Sequence, residues 1–230
     1  MDNRYFFTIK NGKNVVIDGQ EAQHLSKVRR CKVGDEIKAF NGDGLDYNLK
    51  VEQILKDKVN LTIISTEENR ASTNQNITVY LAMLKNDALS TAIDNLAELN
   101  VKNVKLFKSD YSVAVVDEKK LEKLNNISIQ ASKQSERADI MNVSIIKKED
   151  IKKDIQQFEN KFFAYEDSTS MPSKFKGDFA VIIGPEGGFS KEENELFSSI
   201  ANNISISQTI LRAEVACVAA VSTLKAVCLC

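Results

Sequence analysis

Two rhythms of apolar and polar positions divide the chain. Up to about Ser65, apolar residues recur at every second position in short runs separated by turn residues, which is the period of half-buried strands. Tyr5 to Ile9 and Asn14 to Ile17 flank the turn at Asn11-Gly12, and Glu36 to Phe40 leads into the turn Asn41-Gly42-Asp43-Gly44. Leu45 to Leu55 and Val59 to Ile64 follow as strands, with Glu21 to Arg30 as one short helix. Short strands this closely spaced predict a small barrel. Glu67 to Asn76 is polar throughout and reads as a linker.

Beyond it the period lengthens and shortens by turns. Ile77 to Leu84, Val104 to Phe107, Val143 to Ile146, Lys161 to Tyr165 and Phe179 to Ile183 read as strands. Ala88 to Leu99, Glu118 to Gln134 and Asp150 to Phe158 carry helical spacing between them. Strands that alternate with helices predict a mostly parallel α/β sheet, with ligands at the carboxyl ends of its strands.

Composition narrows the class only a little. Of the 230 residues 43% are hydrophobic and 27% charged, as in an ordinary globular protein. The longest apolar run, Ala213 to Cys230, carries Glu214, Ser222, Thr223 and Lys225, so it reads as a buried helix rather than a membrane span. The N-terminus, Met-Asp-Asn-Arg, lacks the apolar stretch of a signal peptide, and a cytoplasmic home is expected. Cys31, Cys217, Cys228 and Cys230 form no Cys-x-x-Cys pair, and His24 is the single histidine, so no metal site is expected. A net charge of −1 announces no nucleic-acid binder. Locally, however, Lys27, Arg29, Arg30 and Lys32 lie between Ala22 and Gly34 with no acid among them. Such a strip either holds phosphates or is a solvated helix face.

The segment Phe179 to Phe197, FAVIIGPEGGFSKEENELF, is the most informative. An apolar strand ends at Gly184, and Pro185, one of two prolines, stiffens the turn that follows. Gly187 and Gly188 allow a close backbone approach, and Ser190 with Glu193 fits a capping box that starts a helix at about Lys191. The loop is neither a Walker A motif nor Gly-x-Gly-x-x-Gly, and Glu186 would repel a phosphate. A cationic ligand with a neutral base, such as S-adenosylmethionine, fits better; a purely structural turn is the alternative. Downstream, Arg212 and Glu214 are the only charges between Glu195 and Lys225. They are either a structural ion pair or site residues.

Several blocks together resemble a known family. Ile183-Gly-Pro-Glu-Gly-Gly-Phe-Ser190 with Ile210-Leu-Arg-Ala-Glu214 is similar to the ribosomal small-subunit methyltransferase E family of the SPOUT superfamily, which makes 3-methyluridine in 16S ribosomal RNA. Arg4-Tyr-Phe-Phe7, His24-Leu-Ser-Lys-Val-Arg-Arg30, Lys85 ahead of Ala97-Glu-Leu99, and Gln134-Ser-Glu-Arg137 agree in order, so the resemblance covers nearly the whole chain. It implies an α/β protein: a PUA-like RNA-binding β-barrel over residues 1–70 and a SPOUT domain with a deep trefoil knot over 71–230. It also implies a homodimer, free of metal and membrane, acting on 16S ribosomal RNA in the assembled small subunit, with S-adenosylmethionine as cofactor.

Three loops would hold that cofactor largely through main chain: Tyr165 and Glu166 in the first; Ile183, Gly184, Pro185, Glu186, Gly187 and Gly188 in the second; Ile206, Ser207, Ile210 and Leu211 in the third. Arg212 would favour the uridinate anion or anchor a phosphate, and Glu214 would orient Arg212 or accept the proton. RNA contacts are expected at Arg4, His24, Lys27, Arg29, Arg30, Lys85, Gln134 and Arg137. The chain departs from the family at Ile206-Ser207, usually Leu-Gly, and at Val215, usually Thr. It also carries Asn100 where Gly is usual, Asn95 for Lys, Tyr111 for Arg and Met141 for Pro. Two other functions fit the residues: a SPOUT enzyme with another RNA target, and an RNA-binding relative without catalysis.

Overall fold

The structure, a computed structural model, describes residues 4–72 and 74–229. Cys230, read with the terminal apolar run, and Thr73, read with the linker, lie outside the described residues. The chain forms two units: the first holds residues 4–72 together with Ser132–Ile140, and the second holds the described residues of 74–131 and 141–229.

In the first unit the strands β1 (Arg4–Phe6), β2 (Ile9–Asn11), β3 (Asn14–Asp18), β4 (Glu36–Phe40), β5 (Leu45–Ile54) and β6 (Lys58–Glu68) form one sheet in the order β1-β4-β5-β6-β3-β2. All neighbours are antiparallel except β1 and β4. The two-residue period sends Val15 and Ile17, Ile37 and Ala39, and Tyr47, Leu49 and Val51 into one core with Tyr5 and Leu25. β6 runs on through Glu67 and Glu68, which the polar composition had assigned to a linker. They pair with Asp46 and Leu45, because the free edge of β5 offers hydrogen-bond partners that the side chains need not supply.

The single helix expected over Glu21 to Arg30 is also different in kind. α1 (Gly19–Gln23) passes into a π-helical turn, His24–Val28, closed by the Arg29 N–H to the His24 carbonyl at 3.0 Å. Ser26 Oγ donates to the Ala22 carbonyl at 2.8 Å, competing for the acceptor of an ordinary α-helical bond. The wider turn buries Leu25 and leaves Lys27, Arg29 and Arg30 outside. Arg30 then ends the helix with φ at 55°.

The second unit is built on a six-stranded, wholly parallel sheet. Along the chain come β7 (Ile77–Ala82), α2 (Asn86–Glu98), β8 (Asn103–Phe107), α3 (Glu118–Gln134), β9 (Asn142–Ile145), α4 (Lys148–Asp154), β10 (Asn160–Ala164), β11 (Phe175–Lys176), β12 (Phe179–Ile183), α5 (Lys191–Ile200), β13 (Asn202–Ile204), α6 (Ala213–Val227) and β14 (Cys228–Leu229). The sheet order is β13-β10-β12-β7-β8-β9, and β11 and β14 form a separate two-stranded sheet. Every residue of β7 and β12 is buried, as strands covered on both faces must be. Val79, Leu81, Val181 and Ile183 point to one side, under α2, α3 and α6. Tyr80, Ala82, Ala180 and Ile182 point to the other, under α4 and α5. α2 ends in a Schellman motif: Asn100 sits at φ 63°, its N–H reaches the Ala97 carbonyl and the Val101 N–H that of Leu96. Asparagine thus serves where glycine is usual.

The segment Ser132–Ile140 carries the first unit's main buried charge. Arg137, 1% exposed, holds Asp139 through two nitrogens at 3.1 and 2.8 Å. Its carbonyl accepts from Arg4 Nη1 at 3.1 Å, and Arg4 in turn pairs with Asp46. Removing one partner strands a buried charge. Asp139→Ala is therefore expected to cost on the order of 3–5 kcal/mol in urea unfolding, and Asp139→Asn, which keeps the volume but not the charge, nearly as much. A clearly smaller loss in Asp139→Asn would show that volume, not charge pairing, matters there.

Candidate functional site

Because β10 pairs in parallel with both β12 and β13, the carboxyl ends of the three strands lie side by side. A loop leaves each, and the loops enclose one cleft. Tyr165 donates its N–H to the Ile204 carbonyl at 3.1 Å, and Ser205 donates to the Ser170 carbonyl at 2.8 Å, which ties the first loop to the third. Tyr165 and Glu166 line the cleft beside Ala164; Ile183, Gly184, Pro185 and Gly188 enter from the second loop. Ile206, Ser207, Ile210 and Leu211 enter from the third. Glu186 and Gly187, expected with them, are not among the lining residues.

The glycine turn explains that division. The Gly188 N–H closes it onto the Pro185 carbonyl at 3.0 Å, and Gly188 takes φ 70°, a conformation that glycine adopts without strain. Glu186 points away from the cleft: its Oε1 accepts the Lys85 N–H at 3.1 Å, at the start of α2, where a carboxylate is favoured by the unpaired amides. A Cβ built on Gly187 would lie 3.5 Å from Tyr111 Cβ, so that glycine faces the loop after β8. The requirement at Gly184 is steric. A Cβ there would meet Phe189 Cε2 at 2.9 Å, and the Phe189 ring is held by Phe163 and Phe197 at 5.5 and 5.0 Å between centroids.

The turn is fixed at its exit by a buried carboxylate. Glu193, 2% exposed, accepts the Ser190 N–H at 3.1 Å and the Ser109 hydroxyl at 3.3 Å on Oε2. Its Oε1 accepts the Asp110 N–H and Lys148 Nζ, both at 3.0 Å. Ser190 Oγ accepts the Glu193 N–H, completing the capping box, and donates to Asp110 Oδ2 at 2.7 Å. Hydrogen bonds from Lys148 and then Ser190 hold the Asp110 carboxyl below its ordinary range. Burial pulls Lys148 down, but its bonds to Asp110 and Glu193 outweigh that and raise it.

Sequence reasoning did not single out Phe189, Asn194, Ser205 or the α6 alanines Ala213 and Ala216, which line the cleft together with Gln208 and Thr209 of the third loop, expected over Ile206 through Arg212. Two signals were present. Asn194 follows Ser190 by four residues, one helical turn from the cap, and Ala213 and Ala216 share a helix face by their spacing. Ser207 takes no positive φ; among the described residues only Arg30, Asn100 and Glu136 do so without being glycine. Its hydroxyl instead accepts the Thr209 N–H at 3.0 Å, a local turn that replaces whatever freedom a glycine would give.

Arg212 is the N-cap residue of α6, exposed, with its side chain outside the cap. Glu214 is half-buried in the first turn and makes no ion pair with Arg212, consistent with residues two apart on a helix. Burial pushes the Cys217 thiol one turn further up to about 12, with the Glu214 charge adding to it, so that cysteine is an inert part of the core.

Two of the residues expected to touch RNA are buried. Arg4 and Arg137 spend their guanidiniums inside the first unit, on Asp46 and Asp139. Lys27, Arg29, Arg30, Lys85 and Gln134 are exposed. His24 is half-buried with its ring 5.8 Å from that of Tyr5.

A parallel sheet with three loops converging at its carboxyl end defines the ligand site of an α/β binding protein or enzyme. A family model described as an RNA methyltransferase domain matches residues 71–225, and one described as an RNA methyltransferase PUA domain matches residues 17–64. The chain belongs to this family of RNA methyltransferases, with a PUA-like domain at its N-terminus. Among curated relatives it is 29% identical to ribosomal RNA small subunit methyltransferase E of Rickettsia conorii, over 97% of this chain and 95% of the other. It is 25% identical to the protein of that name from Helicobacter pylori strain J99, over 88% and 90%. A protein of Legionella pneumophila, solved with the cofactor S-adenosylmethionine bound, superposes with a TM-score of 0.85 at 26% identity, covering 99% of this chain and 98% of that one. Ribosomal RNA small subunit methyltransferase E of Neisseria gonorrhoeae shares the fold at a TM-score of 0.85 and 19% identity, over 98% of each chain.

Two measurements check the geometry. Gly184→Ala should lose about 1–3 kcal/mol of stability, since the caged Phe189 ring cannot yield; a loss below 0.5 kcal/mol in chemical denaturation, on the scale of an unfelt surface change, would refute the clash. The depressed Asp110 carboxyl contributes stability above its ordinary value of 3.8, and that contribution is lost as the pH falls through its lower folded value. Its midpoint by carboxyl NMR should therefore rise toward 3.8 in Lys148→Met, and an unmoved midpoint would remove Lys148 as the cause.

Proposed function

We propose that this chain uses S-adenosylmethionine to methylate N3 of a uridine in the 16S ribosomal RNA of the small subunit. The observation that carries the cofactor reading is the charge of the cleft. Its lining holds one carboxylate, Glu166, and no lysine, arginine or histidine. That suits a sulfonium and repels nothing in a neutral base, whereas a polyphosphate would find no counter-charge. Ile183, Ile206, Leu211 and Ala213 give an apolar wall for a flat base, and Ser205, Ser207 and Thr209 give hydroxyls for a ribose or an amino acid tail. When bound, the cofactor supplies an electrophilic methyl group.

The chain's own residues have three tasks. The loops orient donor and acceptor in line, where most of the rate gain of such a transfer lies. Arg212, exposed at the N-cap of α6 next to the third loop, stabilises the anion left when uridine N3 loses its proton. Glu214, unpaired with Arg212 and half-buried two residues beyond it in the first turn of α6, is assigned as the acceptor of that proton. Lys27, Arg29, Arg30 and Gln134 in the first unit and Lys85 in the second are the exposed groups for phosphate and sugar. Pairing of two copies, closure of the chain into a trefoil knot, the assembled subunit as substrate and a cytoplasmic location belong to the same proposal.

Calorimetry with S-adenosylmethionine and nucleoside mapping of methylated 16S RNA test it. Arg212→Ala is expected to bind the cofactor normally and to lower kcat on the order of 10²–10³-fold, as when one donor to a developing anion is removed. Failure of the folded protein to bind S-adenosylmethionine, or a product other than 3-methyluridine, overturns the cofactor and the target readings respectively.

A further inference from the structure

The loop between β8 and α3 belongs to no part of the cleft, yet it is built with unusual rigidity. Ser109 and Ser112 close a tight turn on each other: the Ser112 N–H reaches the Ser109 carbonyl at 3.0 Å, and Ser112 Oγ accepts the Ser109 N–H at 3.3 Å. Both serines are buried. The buried Glu193 carboxylate holds the Asp110 N–H and the Ser109 hydroxyl from below. What this anchored turn displays is an aromatic ring. Tyr111 is 55% exposed, and Val113 and Val115 beyond it are 77% and 67% exposed. Such a run of apolar side chains in solvent is costly unless something covers it.

Its surroundings say what. Tyr111 Cβ lies 3.5 Å from the Cβ position of Gly187, on the side of the glycine turn opposite the cleft-lining Gly184, Pro185 and Gly188. Lys108 just before the turn is exposed, as is Lys85, whose N–H binds Glu186 of the same glycine turn. The neighbouring carboxylate of Asp110 is engaged by Lys148 and Ser190. An exposed ring on a preorganised backbone, flanked by free lysines, is the arrangement that stacks an unpaired nucleobase while neighbouring phosphates are neutralised.

We propose that Tyr111 is a stacking platform for a nucleobase of the RNA substrate, beside the methyl-transfer cleft and outside the cofactor's own contacts. The inference rests on the reading of the chain as an RNA methyltransferase. Because stacking needs an aromatic face and not a hydroxyl, Tyr111→Phe should behave as the unmodified protein, whereas Tyr111→Ala should raise KM for RNA on the order of tenfold. Affinity for S-adenosylmethionine should stay within about twofold by calorimetry, as Tyr111 does not line the cleft.

The chain contains no tryptophan, so Tyr111→Trp introduces a sole indole reporter. Titration with 16S ribosomal RNA should quench its fluorescence to saturation. Quenching by RNA supports the platform even if the unmodified protein transfers no methyl group, in which case the enzymatic reading alone fails. If the unmodified protein methylates RNA but the indole is unquenched and Tyr111→Ala keeps its KM, the platform is overturned and the enzymatic reading stands. A change of sedimentation in Tyr111→Ala with RNA affinity unaltered would likewise overturn it, by assigning the ring to contact with a second copy of the chain.

Discussion

The site depends on one buried negative charge. Glu193 receives two main-chain N–H groups, a hydroxyl and an ammonium, from Ser190, Asp110, Ser109 and Lys148. A carboxylate taken out of water at this depth persists only when its acceptor positions are filled, and here the filling groups come from the glycine turn's exit, from the loop after β8 and from the start of α4. The same charge that starts α5 therefore fixes the positions of two loops relative to the sheet. Stability and function are coupled at this point: none of the four donors can move without leaving the carboxylate short of a partner.

From that anchor the glycine turn acquires two faces. Gly184 is small because Phe189 passes across it, and Gly188 is glycine because the turn needs positive φ; both open toward the cleft. Glu186 and Gly187 look outward, one capping α2 and the other against Tyr111. The strand ending at Ile183, the helix beginning at Lys191 and the capping box were all legible in the order of residues, because each is a local pattern of apolar run, turn and cap. The turn's two-sidedness was not. It arises from contacts with residues 101 and 76 positions away, Lys85 and Tyr111, and no short-range rule connects them.

The first unit shows the complementary failure. A sequence displays charge but not burial, and Arg4 and Arg137 look like the arginines of the basic strip until Asp46 and Asp139 are seen to enclose them. Likewise the helical period over Glu21 to Arg30 was real, but the Ser26 hydroxyl bonding to the Ala22 carbonyl favours a wider turn that the period alone cannot distinguish. The return of Ser132–Ile140 to the first unit after more than fifty intervening residues has no compositional mark at all. What sequence reading did fix there was the strand set, since alternation at Asn14 to Ile17 and Glu36 to Phe40 directly states which side chains are inside.

A net charge of −1 sits uneasily with an RNA substrate until the charges are sorted by what they touch. Arg4, Lys105, Lys133, Arg137 and Lys148 are each engaged by a carboxylate of their own unit. They are part of the fold's internal electrostatics and add little to the outside field. Lys27, Arg29, Arg30, Lys85 and Lys108 are exposed, and their fields reach about a Debye length, roughly 8 Å at physiological salt. Over that range a polyanion responds to local cations and not to the molecular total. The cleft inverts the pattern, with Glu166 and no cation. Within the second unit the cleft is thus left without a cation, while Lys85 and Lys108 are exposed outside it.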